Sequence, residues 1–217
     1  MSEQAFGLAH HFDDMEQQSR AASLGMWLFL VTEIMFFGGL FAGYTVYRWK
    51  YPAGFAHASH ETGLWLGMAN TIVLLASSLT MAVAVHFAQL GKRRLIALFL
   101  LLTIALGCAF LVVKGFEYHH KYVDRHIPGA SFVNIEPPPY EGQQLYFLFY
   151  FTMTGMHALH MVVGVGLLAV VAVMAWRGRF TTAYNTPVEM AGLYWHFVDV
   201  VWIFLFPLLY LIDRHSQ

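Results

Sequence analysis

Residues 192–212 read GLYWHFVDVVWIFLFPLLYLI. Apart from His196 and Asp199 the stretch is apolar from end to end, and it is as long as the roughly 20 residues a helix needs to cross the ~30 Å hydrocarbon core of a bilayer. Its apolar run is continuous, with none of the period-two alternation of a membrane barrel strand. It therefore reads as a transmembrane helix, in which every backbone polar group is satisfied within the segment. An imidazole and a carboxylate at positions i and i+3 then share one helix face, in a setting where ionisable groups are costly.

The rest of the chain has the same character. Of 217 residues, 58% are hydrophobic and 12% charged, about half the charged fraction of an ordinary soluble domain. Four further apolar segments, at 64–90, 95–116, 143–175 and, first in the chain, 24–47, are each long enough to span; the last helix is expected over 190–212. The reading is an all-α polytopic membrane helix bundle with five transmembrane helices. It divides into an N-terminal cytoplasmic segment (1–23), the five-helix transmembrane domain (24–212) and a C-terminal tail (213–217). The fourth segment is long enough to tilt or to project from the bilayer.

A net charge of −1 leaves no basic footprint for nucleic acid. The single cysteine, Cys108, excludes an intrachain disulfide and any multi-cysteine metal site. The polar, acidic N-terminus lacks the basic and apolar regions of a cleavable signal peptide. Phosphate-binding glycine loops, dinucleotide fingerprints and haem-attachment motifs are missing from the sequence.

Orientation follows from the loops. With the N-terminus cytoplasmic, Arg20, Lys92, Arg93, Arg94, Arg177 and Arg179 lie inside and Arg48, Lys50, Lys114, Lys121, Arg125 and Arg214 outside, an even split of the 12 basic residues. The clusters GKRR (91–94) and RGR (177–179) sit in short loops, where the positive-inside rule weighs most, and favour N-in. The longest loop, 117–142, holds EYHHKYVDRHIPG and then EPPPYEG. Its three prolines fix an extended chain, so it reads as a lid-like segment on the outer face.

Several ionisable groups fall inside the spans. Glu33 lies near the middle of the first, as a proton-relay carboxylate, a contact for lipid or a partner helix, or a protonated acid hydrogen-bonded within the bundle. His157 and His160 share a face of the fourth span, beside Gly155, Gly164 and Gly166, which admit close helix approach. Imidazoles ligate metal and haem, yet a metal normally takes three or four protein ligands and haem takes ligands from opposite sides, so hydrogen bonding across the bundle is the plainer reading. His196 and Asp199 would satisfy one another in a dry interior or relay protons. Trp195 and Trp202 on the same helix mark membrane interfaces or helix contacts. No serine or cysteine nucleophile stands at a credible spacing for hydrolysis.

Four stretches carry a family resemblance: YWHFVDVVWIFLF (194–206), TGMHALHMVVG (154–164), WLFLVTEIMFFGGLFAGY (27–44) and VKGFEYHH (113–120). In this order they resemble subunit III of the haem–copper terminal oxidases, from about Gly25 to the C-terminus, in a short five-helix form known among bacterial oxidases. The resemblance implies an accessory subunit of a proton-pumping oxidase that reduces oxygen to water. It implies haem and copper in partner subunits and none in this chain, no catalytic or metal-binding residues here, and bound phospholipid. The partners implied are the catalytic subunit I, subunit II, phospholipids, and cytochrome c or a bc-type supercomplex. By position, Glu33 matches the family's reactive membrane glutamate, with a part in proton uptake, and Arg177 its lipid-headgroup arginine. Glu189, His196 and Asp199 match residues before and within the last helix, and with His157 and His160 make a buried polar network. The implied location is the bacterial plasma membrane, multi-pass, with the N-terminus cytoplasmic. The long form of the family has two more N-terminal helices, which form one arm of a lipid cleft, and this chain has no counterpart to them. Subunit III of a quinol oxidase, or a homologue associated with nitric oxide reductase, is a close alternative. A free-standing membrane haem protein or proton channel is a more distant one.

Overall fold

The computed structural model describes residues 10, 12–129, 132–133, 141–181 and 184–211. Within them are six helices: α1 (Met15–Lys50), α2 (Pro52–His60), α3 (Leu64–Gln89), α4 (Arg93–Val123), α5 (Gln143–Trp176) and α6 (Thr186–Tyr210). All except α2 are long and apolar enough to cross a membrane, and the all-α bundle read from the sequence is the fold.

Helix boundaries depart from the apolar runs wherever a polar turn continues the helix into the interfacial region. α1 starts at Met15, well before the apolar run, because Asp14 caps it by accepting from Gln17 N at 2.7 Å, satisfying one of the first turn's free N–H groups. Residues 117–123, expected in a loop, are the last turns of α4. The connection between the first two spans contains α2, opened by Pro52, a residue suited to the first helical turn. The α3–α4 and α5–α6 connections both leave their helix through a left-handed glycine, Gly91 (φ 67°) and Gly178 (φ 71°). Lys92 N bonds Phe87 O and Arg179 N bonds Met174 O, a six-to-one closure that uses up orphan carbonyls. The proline run at 137–139 and the tail 213–217 lie outside the described residues.

α3, α4, α5 and α6 form a closed ring in which each packs on two neighbours, and α1 lies outside it against α5 and α6. Burial follows that plan. In its most apolar window α6 is 50% buried and α1 only 11%, so most of α1 faces away from the protein. The helix read first from the sequence is thus the most deeply buried of the spans.

The ring closes on large aromatics of α6 set against small residues of its neighbours. Trp195 is fully buried, with its Nε1–H donated to Ser77 Oγ at 3.1 Å. It fills a notch made by Gly107 of α4 and Gly164 of α5, where added Cβ atoms would lie 2.7 and 3.1 Å from the indole. Trp202 donates to Thr71 Oγ1 at 3.1 Å and meets Phe110 edge-on at 4.8 Å. Of the three glycines expected to admit a helix, only Gly164 does so closely. A Cβ on Gly155 would touch one tyrosine hydroxyl, and one on Gly166 would meet nothing.

The C-terminal turn of α6 leaves carbonyls without intrahelical partners. Tyr44 of α1 donates to Leu208 O at 2.5 Å and Tyr146 of α5 to Leu209 O at 2.6 Å, pinning the end of α6 to two other helices.

Candidate functional site: the polar interior of the bundle

The residues singled out from sequence do not form one network: no hydrogen bond joins any two of His157, His196, Glu189 and Asp199, and His160 bonds elsewhere. Each has its own surroundings.

Glu33 of α1 reaches His160 of α5, Oε2 to Nε2 at 3.1 Å, with side chains 19% and 14% exposed. His160 Nδ1 lies 2.8 Å from Met156 O. A carbonyl only accepts, so Nδ1 carries a hydrogen, and the Nε2–carboxyl contact must then hold one proton in total. The pair is either imidazolium–carboxylate or imidazole–carboxylic acid, and is neutral as a unit both ways. That resolves the cost of an acid in the most exposed helix. Beside it, Phe37, Phe41, Phe197 and Phe204 wall an apolar groove of about 220 Å³ between α1 and α6.

His196 does not pair with Asp199. Its Nδ1 bonds Ser78 Oγ of α3 at 2.8 Å. Ser78 also neighbours the Asp199 carboxyl, but neither Asp199 oxygen makes a hydrogen bond of ordinary geometry, although the residue is only 3% exposed. One helical turn sets the two side chains along α6 rather than against each other, and a serine from the facing helix stands between them.

His157 is 1% exposed, and neither ring nitrogen has a hydrogen-bond partner. Phe110 meets it edge-on at 5.4 Å and Trp202 lies 5.1 Å away, so it serves as an aromatic packing residue. Glu189 accepts from Gln89 Nε2 at 3.0 Å. Arg177 is exposed and lies over a shallow groove with Arg179, Val170 and Val173.

The strongest charge cluster is one that the sequence reading passed over. Lys114, counted there among the outer-side cations, is buried in α4 with Glu117 one turn on, Nζ to Oε2 at 2.9 Å, both side chains 5% exposed or less. Tyr150 of α5 and Tyr210 of α6 donate to Glu117 Oε1 at 2.7 and 2.6 Å. Lys114 also donates to Tyr210 Oη at 2.5 Å and lies 4.8 Å from the Trp202 ring. Three helices thus meet on one ion pair with complete hydrogen bonding. Lys121 continues the stripe, donating to Glu61 O at 2.6 Å. The signal was present as Lys-x-x-Glu-x-x-x-Lys, which puts all three charges on one helix face; ending the span at residue 116 concealed it.

Among the described residues no group of three or more His, Cys, Asp or Glu side chains is placed to hold a metal ion.

The geometry defines a polytopic helix bundle with two ion pairs in its interior. The family described as cytochrome c oxidase subunit III matches residues 4–213, and the chain belongs to this family of haem–copper oxidase subunits. It is 33% identical to cytochrome c oxidase subunit 3 of Corynebacterium diphtheriae over 204 residues, covering 88% of either chain. It is 32% identical to the subunit 3 of Dugong dugon over 213 residues, 93% of this chain and 72% of that one. It is also 29% identical to cytochrome bo(3) ubiquinol oxidase subunit 3 of Pseudomonas aeruginosa over 207 residues, 95% of this chain and 92% of that one. Membership places the chain in an oxidoreductase complex, in association with other oxidase subunits.

Proposed function

We propose that this chain is a non-catalytic subunit of a proton-pumping oxidase that takes electrons from cytochrome c and reduces oxygen to water. Its part is to stabilise the catalytic subunit, to hold phospholipid and to support proton uptake. The observation that carries this is the family match over almost the whole chain, to which the Lys114–Glu117 and Glu33–His160 pairs add charges matched within the bundle. Haem and copper belong to the partner subunits, and no step of oxygen reduction runs through residues of this chain.

Glu33 and Arg177 are the residues proposed to act at the periphery. The Glu33–His160 pair carries a single proton beside an apolar groove, which suits both lipid contact and proton exchange. Arg177 is exposed over its groove, as a headgroup contact would be. We place the N-terminus in the cytoplasm of a bacterium. Lys114 and Lys121 are buried and do not count as loop charges, so the even split becomes six inside (Arg20, Lys92, Arg93, Arg94, Arg177, Arg179) against four outside (Arg48, Lys50, Arg125, Arg214), which favours this orientation. A quinol as donor is the second reading, favoured by the bo(3) relative.

The test is to purify the oxidase with and without this chain, and with Glu33→Ala in it. Haem content per complex is expected to be unchanged in all three. Reduced cytochrome c is expected to drive oxygen uptake, and activity is expected to decay sooner in turnover when the chain is absent or altered. Loss of haem with Glu33→Ala, or a Soret band on the isolated chain, would overturn the proposal, and activity with quinol alone would replace the donor.

A further inference from the structure

α4 begins where α5 ends, and the two helix ends are fitted to each other. Gly178, at φ 71°, closes α5, and a Cβ there would stand 2.7 Å from Arg93 Nη1. The Arg93 side chain therefore lies across the end of α5. From that point a groove of about 410 Å³ follows the α4–α5 seam, with Arg93, Arg94 and Trp176 at one end and Ala97, Leu98 and Leu101 along it. Neither arginine has an ion-pair partner among the described residues. No Asp or Glu occurs at 90–116 of α4 and its approach or at 144–188 around α5, and Glu117, towards the other end of α4, is taken by Lys114, so no carboxylate in these stretches competes for the guanidiniums. Trp176 is 82% exposed, as befits an indole at headgroup depth.

The combination of two free guanidiniums, an interfacial indole and an apolar trench continuing into the membrane matches one chemistry. Guanidinium forks bind phosphate oxygens in pairs, and a trench walled by leucine and alanine accepts a hydrocarbon chain. We propose that the α4–α5 groove binds one anionic phospholipid, its phosphate on Arg93 and Arg94 and an acyl chain along Leu98 and Leu101. The site is separate from the Arg177 groove, which is walled by Val170 and Val173. It requires only that the chain spans a membrane, so it stands or falls independently of the electron donor and of any role for Glu33.

The experiment is native mass spectrometry of the detergent-solubilised complex containing this chain, titrated with phosphatidylglycerol or phosphatidylethanolamine. A basic residue near an anionic surface contributes roughly a fivefold gain in binding, so the double variant Arg93→Gln/Arg94→Gln is expected to weaken retention of one phosphatidylglycerol about 25-fold. Leu101→Trp, which fills the trench and leaves both arginines in place, is expected to remove the same lipid and keeps the test valid if the double variant fails to assemble. Arg177→Gln is expected to leave that lipid bound. Unchanged lipid stoichiometry in both groove variants, or equal retention of phosphatidylethanolamine, overturns the proposal.

Discussion

Replacing Lys114 by methionine removes one half of the buried pair and keeps most of the side-chain volume. At 2.9 Å the attraction between Lys114 and Glu117 is about 6 kcal/mol for an effective dielectric of about 20. Each ion loses hydration worth several kcal/mol on burial. The two tyrosine bonds to Glu117, each worth about 1.5–3 kcal/mol to a charged acceptor, offset the remainder. The intact cluster is then close to neutral in net stability, whereas a lone buried carboxylate is costly. Lys114→Met is expected to destabilise by about 3–5 kcal/mol. Adding Glu117→Gln removes the stranded charge and leaves an amide oxygen for Tyr150 and Tyr210, so the double variant is expected to cost only about 1–2 kcal/mol. The negative coupling, about 2 kcal/mol or more, corresponds to roughly 30-fold in the folding equilibrium. Denaturation in mild detergent, followed by helical circular dichroism and by indole fluorescence, reads it out, since Trp202 lies against Lys114. Costs that simply add, or a neutral Lys114→Met, would refute the reasoning.

Three further outcomes are expected. Gly107→Ala puts a methyl 2.7 Å from the Trp195 ring and is expected to cost about 1–3 kcal/mol through overpacking, while Gly115→Ala, whose Cβ would meet nothing, should leave the unfolding midpoint in place. His196→Leu strips Ser78 of its imidazole partner and is expected to cost about 1–3 kcal/mol; His157→Leu removes nitrogens that have no partner and should cost under about 1 kcal/mol, so equal complex yields from the two would count against both assignments. In the loop that follows α4, His126 stacks on Phe147 at 5.1 Å, and burial, aided by Lys121, holds its pKa below the ordinary histidine value. The neutral ring thus favours the fold above the ordinary value, and that contribution is lost as pH falls through it towards the lowered one. Proteolysis at this loop is expected to quicken between about pH 7 and about pH 5 and to lose that dependence in His126→Phe; a pH profile shared by both proteins would contradict it.

The span count was legible because a continuous apolar run admits only one backbone solution in lipid. Partnership was not legible. His196 and Asp199 share a face one turn apart, which brings them near each other but does not say what the facing helix presents, and Ser78 of α3 was needed to decide it. Glu33 and His160 lie in different spans, and nothing local joins them. Lys114 and Glu117 were misplaced for another reason: hydropathy marks where apolar residues stop, whereas this helix continues with its charges turned inward. Gly107 in turn drew no attention, since its purpose is visible only once Trp195 stands against it.

The ion cluster also bears on how the chain is made. Tyr210, which donates to Glu117 and accepts from Lys114, belongs to the last turn of α6, so it is synthesised after the whole of α4 and α5. Until it arrives, the nascent intermediate carries a lysine and a glutamate in hydrocarbon with part of their solvation still to come. A product truncated before this tyrosine therefore keeps the ion pair and the Tyr150 bond but leaves each ion one hydrogen-bond partner short.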